Sequence, residues 1–70
     1  NPADDYAIVS IPENEGKVNY QITDMDGSLI QQNHFTGSEA VLDLSNLRPG
    51  MYVLRLDVKG EIVIKRIVVM

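Results

Sequence analysis

Apolar residues return at every second position wherever a period can be read in this chain. Val18, Tyr20 and Ile22 alternate with Lys17, Asn19 and Gln21, and Ala40, Leu42 and Leu44 alternate with Val41, Asp43 and Ser45. Tyr52, Leu54, Leu56 and Val58 make the longest one-sided apolar face. Side chains on a strand point to opposite faces with a period of two, whereas a helix repeats every 3.6 residues. No window of about eleven residues carries the longer repeat, so the expected fold is all-β.

Residues 6–11, rich in Ile and Val, read as a first strand, stopped by the loop Pro12-Glu13-Asn14-Glu15-Gly16. Residues 16–23 follow as a strand with one side in water. Asp24-Met25-Asp26-Gly27 reads as a tight hairpin turn, because Asp-Gly supplies the positive φ angles such turns need. Residues 28–35 pair back antiparallel. Leu29 and Ile30 are adjacent and Gln31, Gln32, Asn33 and His34 are polar on both parities, which predicts an edge strand. Thr36-Gly37-Ser38-Glu39 is a loop before the Ala40, Leu42, Leu44 strand, and the strand from Tyr52 to Val58 is predicted to be central. Lys59-Gly60-Glu61 then leads to residues 62–69, apolar on both parities and interrupted only by Lys65 and Arg66. Such a strand is expected to be covered on both faces, or to lie where something else covers it. Six to seven strands at intervals of about 8–12 residues fit a small immunoglobulin-like, fibronectin III-like antiparallel β-sandwich.

The alternation breaks most sharply at Leu47-Arg48-Pro49-Gly50. Proline followed by glycine fits the central positions of a type II turn, which splays its flanking strands, so the chain is expected to change sheets here. In immunoglobulin-like sandwiches a tyrosine near the start of the strand after this corner bonds through its hydroxyl to backbone a few residues upstream. Leu47 is accordingly assigned to plug the end of the core, Gly50 to the turn and Tyr52 to the anchor.

At 70 residues the chain is one domain at most, and a single core of this size rarely supplies more than about 3–5 kcal/mol of net stability. Net charge −4, from six Lys and Arg against ten Asp and Glu, argues against nucleic acid, because phosphate binding needs a clustered basic face. Residues 1–5 lack the basic and apolar regions of a signal peptide, and no run approaches the about 18 apolar residues of a membrane span. Targeting information is therefore expected elsewhere. Without cysteine there is neither disulfide nor thiolate metal site, and composition is silent on redox compartment.

Catalytic and metal readings find little support. His34 is the only histidine and has no nucleophile or carboxylate at relay spacing, so it reads as a solvated edge residue. Asp24-x-Asp26-Gly27 resembles the start of a calcium loop, but a third ligand before the glycine is missing and the twelfth position is Phe35 in place of glutamate. Turn chemistry explains it. Asp4, Asp5, Glu13 and Glu15 read as a solvated acidic cluster, since a chain this short has little surface for a cleft. Tyr6, Tyr20 and Tyr52 fall on expected core faces and build no aromatic platform. No enzymatic activity and no cofactor are expected.

Four stretches taken in order carry a resemblance. They are Asn1-Pro2; Val18-x-Tyr20-x-Ile22-x-Asp24-x-x-Gly27; Leu42-x-Leu44-Ser45-x-Leu47-x-x-Gly50-x-Tyr52; and Lys65-x-Ile67-Val68. Over nearly the whole chain this set resembles the type A C-terminal sorting domain of the type IX (Por) secretion system of Bacteroidetes. The resemblance implies a non-enzymatic address, following a larger cargo, that directs it through the outer-membrane translocon from the periplasm to the cell surface or medium. It also implies removal by a sortase-type peptidase, either with attachment of the cargo to surface lipopolysaccharide or with its release. Carried over are Asp24, Gly27, Leu47, Gly50 and Tyr52 as keepers of the fold, and Lys65, Arg66, Ile67, Val68, Val69 and Met70 as the recognised terminal strand. The chain departs from the pattern in keeping only Asn-Pro of a longer Tyr-Pro-Asn-Pro start, and in ending apolar where many members end on a polar residue.

A receptor strand added to an unpaired edge of the terminal strand would gain affinity from main-chain hydrogen bonds. The same edge invites weak self-association. The rival reading is a fibronectin-like accessory module that binds carbohydrate or protein beside a secreted enzyme, or a plain spacer. A binding module would need an exposed aromatic or hydrogen-bonding patch on its loops, and the sequence offers none.

Overall fold

The computed structural model describes Pro2–Ala3 and residues 6–70. Asn1 of the Asn1-Pro2 start, and Asp4 and Asp5 of the acidic cluster, lie outside the described residues. The elements are β1 (Pro2–Ala3), β2 (Tyr6–Ser10), β3 (Lys17–Asp24), β4 (Leu29–Thr36), β5 (Glu39–Asp43), β6 (Gly50–Val58) and β7 (Glu61–Val69). Five of them form one sheet in the order β1-β7-β6-β3-β4, and β2 and β5 form a second, narrower one. The sandwich is antiparallel except for β1, which pairs parallel with β7. Two residues are too few to show a period, so β1 left no trace in the sequence pattern.

The alternating faces meet between the sheets. Val18, Tyr20, Ile22, Tyr52, Leu54, Leu56, Ile67 and Val69 point inward from the wide sheet, and Val9, Leu42 and Leu44 from the region of the narrow one. Each fully buried aliphatic side chain contributes about 1.5–3 kcal/mol relative to exposure. Tyr20 and Phe35 add a tilted ring pair with centroids 6.2 Å apart. β6 is central and β4 is an edge, as the pattern predicts. The adjacency of Leu29 and Ile30 has a local cause. The register steps from Ile22↔Gln31 to Thr23↔Leu29, and Ile30 is the extra residue of a bulge, which turns both side chains to solvent.

Four expectations need correction. Residues 62–69 are not covered on both faces: Ile62, Val63 and Ile64 are 45 %, 37 % and 58 % exposed, and only Ile67 and Val69 reach the core. Ile62 and Ile64 stand opposite Asp57 and Arg55 on the outer face, where no second sheet packs, and Val63, opposite Leu56 on the inner face, lies beyond the reach of the two-stranded sheet. Tyr6 does not face the core. It is 57 % exposed on the outer side of β2, because Ala7 and Val9 take the inward parity.

Pro49-Gly50 does not form a type II turn either, since Gly50 has φ 153° and already pairs opposite Val69 in β6. The four-residue turn Leu44–Leu47 before the corner is closed instead by Leu47 N–H donating to the Leu44 carbonyl at 3.0 Å. The type II pattern occurs at Ile11-Pro12-Glu13-Asn14, where Glu13 takes φ 67° and Asn14 N–H donates to the Ile11 carbonyl at 3.1 Å. Finally, Asp24–Gly27 does turn the chain into a hairpin, but Gly27 alone, at φ 91°, has positive φ and Asp26 does not, in a three-residue loop.

One side chain locks the end of the sandwich where the sheets are joined by loops. Asn14 is buried and donates from Nδ2 to the carbonyls of Gly16 at 3.0 Å and Gly37 at 2.8 Å, tying the β2–β3 loop to the β4–β5 loop. Backbone bonds Ile11 N–H to Ser38 O and Gly37 N–H to Gly16 O run beside it. Its Oδ1 is buried without a partner among the described residues, so the residue is stabilising only through what it donates. Replacing Asn14 by Ala leaves carbonyls unpaired and is expected to cost about 1–3 kcal/mol. Denaturant unfolding checks this, and an unshifted midpoint would show the clamp to be dispensable.

Candidate recognition surface

The five motif residues, scattered along the chain, gather at one end of the wide sheet. Asp24, Tyr52 and Ile67 form one cross-strand row, and Gly50 lies opposite Val69 in the next but one. Tyr52 is buried and its hydroxyl donates to the Arg48 carbonyl at 2.7 Å, the tyrosine-corner bond that the spacing predicts. Leu47 is half-buried against the core cluster at the same end. β5 lies in the narrow sheet and β6 in the wide one, so the chain does change sheets through this corner.

Asp24 works as a turn residue. Its Oδ1 accepts N–H bonds from Asp26 and Ser28, both 2.9 Å, and its own N–H donates to the Ser28 carbonyl. A carboxylate engaged this way holds the β3–β4 turn and explains Asp24-x-Asp26-Gly27 without a cation. Asp43 plays the matching part ahead of the corner, where its Oδ1 accepts the Ser45 N–H at 2.9 Å. The hydrogen bonds from the Ser45 side chain and then its backbone hold the Asp43 carboxyl below its ordinary 3.8.

The terminal strand divides in two. Ile67 and Val69 are core residues and Val68 is half-buried opposite Met51 and Pro2. Lys65, Arg66 and Met70 are exposed, with Lys65 opposite Leu54 and Arg66 opposite Val53. Ile62, Val63 and Ile64 continue the exposed run toward the hairpin at Lys59-Gly60, both of positive φ. The terminal strand thus presents two cations beside an aliphatic run, and is held by its last residues.

Across the outer face of the wide sheet a shallow depression of about 390 Å³ is lined by Asn19, Gln21, Gln32, His34, Arg55 and Asp57. It is an open, amide-rich surface. His34 is exposed on the edge strand, and the Asp57 carboxylate accepts the Gly60 N–H at 3.1 Å. Neither group is arranged toward a nucleophile.

Residues 1–70 match the family model described as the secretion system C-terminal sorting domain. The chain belongs to the type IX secretion C-terminal sorting family. No curated protein and no solved structure matches it. The sorting domain is a signal for export to the cell surface or the extracellular space, in a family of non-catalytic tails that follow an N-terminal cargo part and engage the secretion machinery.

Sequence reasoning passed over two features of the sorting domain. In the sequence Asn14 stands out only as a loop residue, although asparagine directly before Glu15-Gly16 can satisfy backbone groups of its own loop. The exposure of Ile62, Val63 and Ile64 has no sequence signal, because an apolar run looks the same whether or not it is covered.

Two outcomes follow from the corner. Tyr52→Phe removes the bond to Arg48 and is expected to cost about 1 kcal/mol, a drop of about 4–8 °C in Tm. An unchanged melting curve would remove Tyr52 from the anchor role. A depressed carboxyl in the folded state stabilises above pH 3.8 and loses that effect as pH falls through the folded value. NMR titration is expected to place the Asp43 midpoint below 3.8 and to move it up toward 3.8 in Ser45→Ala. A wild-type midpoint at 3.8 would overturn the assignment.

Proposed function

We propose that residues 1–70 act as one tail domain behind a larger cargo, that a translocon component reads the terminal strand in the periplasm, and that a sortase-type peptidase then separates tail from cargo. Receptor contacts run through the exposed side chains of Lys65, Arg66 and Met70. Ile67, Val68 and Val69 seat the strand so that those side chains are presented in a fixed order. The observation that carries this reading is the division of β7 into a buried anchor and an exposed cationic stretch on a chain of net charge −4. One cation on each face of the same strand of an acidic domain gives anionic receptor groups a definite register, and the remaining acidic surface excludes them by repulsion.

Asp24, Gly27, Leu47, Gly50 and Tyr52 serve this function indirectly, by fixing the end of the sheet where β7 finishes. Deleting residues 65–70 would be a poor test, because it also takes Ile67 and Val69 out of the core and unfolds the domain. The useful variant is Lys65→Glu with Arg66→Glu in a passive reporter carrying the sorting domain, expressed in a type IX-competent host. Unprocessed reporter retained in the periplasm, with an unchanged melting temperature, is the expected outcome. Normal export and processing of that variant would refute the recognition assignment, and polysaccharide retention without processing would favour an accessory binding module.

A further inference from the structure

The two edges of the wide sheet are built differently. β4 ends one side with Gln31, Gln32, Asn33 and His34 and a bulge, the features that blunt an edge against further pairing. β7 has a composition apolar on both parities, the pattern of a strand covered on both faces, and carries none of the polar run or bulge that blunts β4. Yet among the described residues β1 alone pairs with its outer edge, and only at Val68 and Val69. Among the described residues nothing pairs with that edge along residues 61–67, with Ile62 and Ile64 beside it on one face and Val63 on the other.

β1 shows both what the edge accepts and from where. It runs parallel to β7, with Pro2 opposite Val68 and Ala3 opposite Val69, so residue n faces residue n + 66. Because the pair is parallel, the chain traced backward from Pro2 travels toward the Glu61 end of β7, along the open edge and not away from it. A cargo part precedes the domain in this family. We infer that in the cargo-bearing protein the residues immediately upstream of Asn1 continue β1 along β7 as a parallel edge strand. Kept at the same offset, the residue just before Asn1 faces Arg66, the third residue upstream faces Ile64 and the fifth faces Ile62.

The occupant is thus the protein's own cargo junction, delivered to the edge by a pairing already present. Its backbone meets unpaired main-chain groups, and its alternate side chains cover Ile62 and Ile64 on one side and Val63 on the other. The seat leaves the side chains of Lys65 and Arg66 projecting from the two faces of the sheet. The inference rests on the proposed function only in taking the processed junction to lie upstream of Asn1. Under it, the junction is held extended against β7 until it is peeled away, and separation of cargo from tail strips the cover from the aliphatic edge.

Cysteine pairing tests it in the full-length protein, since the domain has no cysteine of its own. Ile64→Cys is combined with a cysteine at the third residue upstream of Asn1, and in a control with one at the second, whose side chain points to the opposite face. After mild oxidation the in-register pair is expected to close within one chain at least about ten times faster than the control, as judged by non-reducing gels. Equal rates, or disulfides formed only between chains, would overturn the seat. A second readout needs no cysteine: replacing the six residues upstream of Asn1 by a Gly-Ser stretch is expected to raise amide exchange at residues 61–67 about tenfold while leaving β3 and β6 unchanged. Unaltered exchange would also overturn it. Export of the Lys65→Glu/Arg66→Glu variant is scored separately, so a failed label with an intact cross-link, or the converse, identifies which statement is wrong.

Discussion

Strands in a sheet sit about 4.8 Å apart, so the β2–β5 layer spans one such interval while the five-stranded sheet spans about 19 Å. Everything buried has to fit under the narrower layer. That is why Leu54, Leu56, Val18 and Ile22, on the two strands nearest the middle, are nearly inaccessible, while the flanking strands β4 and β7 carry side chains in water. The same mismatch decides where stability is concentrated and where the surface is left open to partners. A wider second layer would cover Val63 and Lys65 on the inner face of β7, whereas Ile62, Ile64 and Arg66, opposite Asp57, Arg55 and Val53, lie on the outer face and would stay exposed.

Within that limit the ends of the sandwich are fixed by single polar contacts. Tyr52 holds the corner through the Arg48 carbonyl, and Asn14 holds the loops around Gly16 and Gly37. Both are neutral hydrogen bonds, insensitive to the ionic conditions on either side of a membrane. Asp24 and Asp43 stiffen individual turns but stand at the surface, where their contribution is local.

The parts of the fold that were legible in the sequence are those where one parity is clearly apolar. Val18, Tyr20 and Ile22, and Tyr52, Leu54 and Leu56, could be placed inward because polar residues alternate with them. β2 lacked that contrast: Tyr6 and Ile8 compete with Ala7 and Val9 for the inner face, and only the tertiary packing shows that the smaller pair wins. The corner could be recognised from Leu47, Gly50 and Tyr52, yet its backbone could not, because proline-glycine describes a preference that the β6–β7 register overrides at Gly50. As for the recognition surface, Lys65 and Arg66 stood out as interruptions of an apolar run. Which of their neighbours are anchor and which are exposed depends on which parity of β7 faces the narrow layer and how far that layer reaches, properties of the assembled sheets that no local pattern encodes.

The parallel sense of the β1–β7 pair has a mechanical meaning. Tension applied from the cargo side against an anchored carboxyl end pulls these two strands past one another along their length, so the rungs between them share the load. An antiparallel pair of terminal strands, attached at the same points, would instead open like a zip from one end. A force applied in that way would meet the β1–β7 pair in shear.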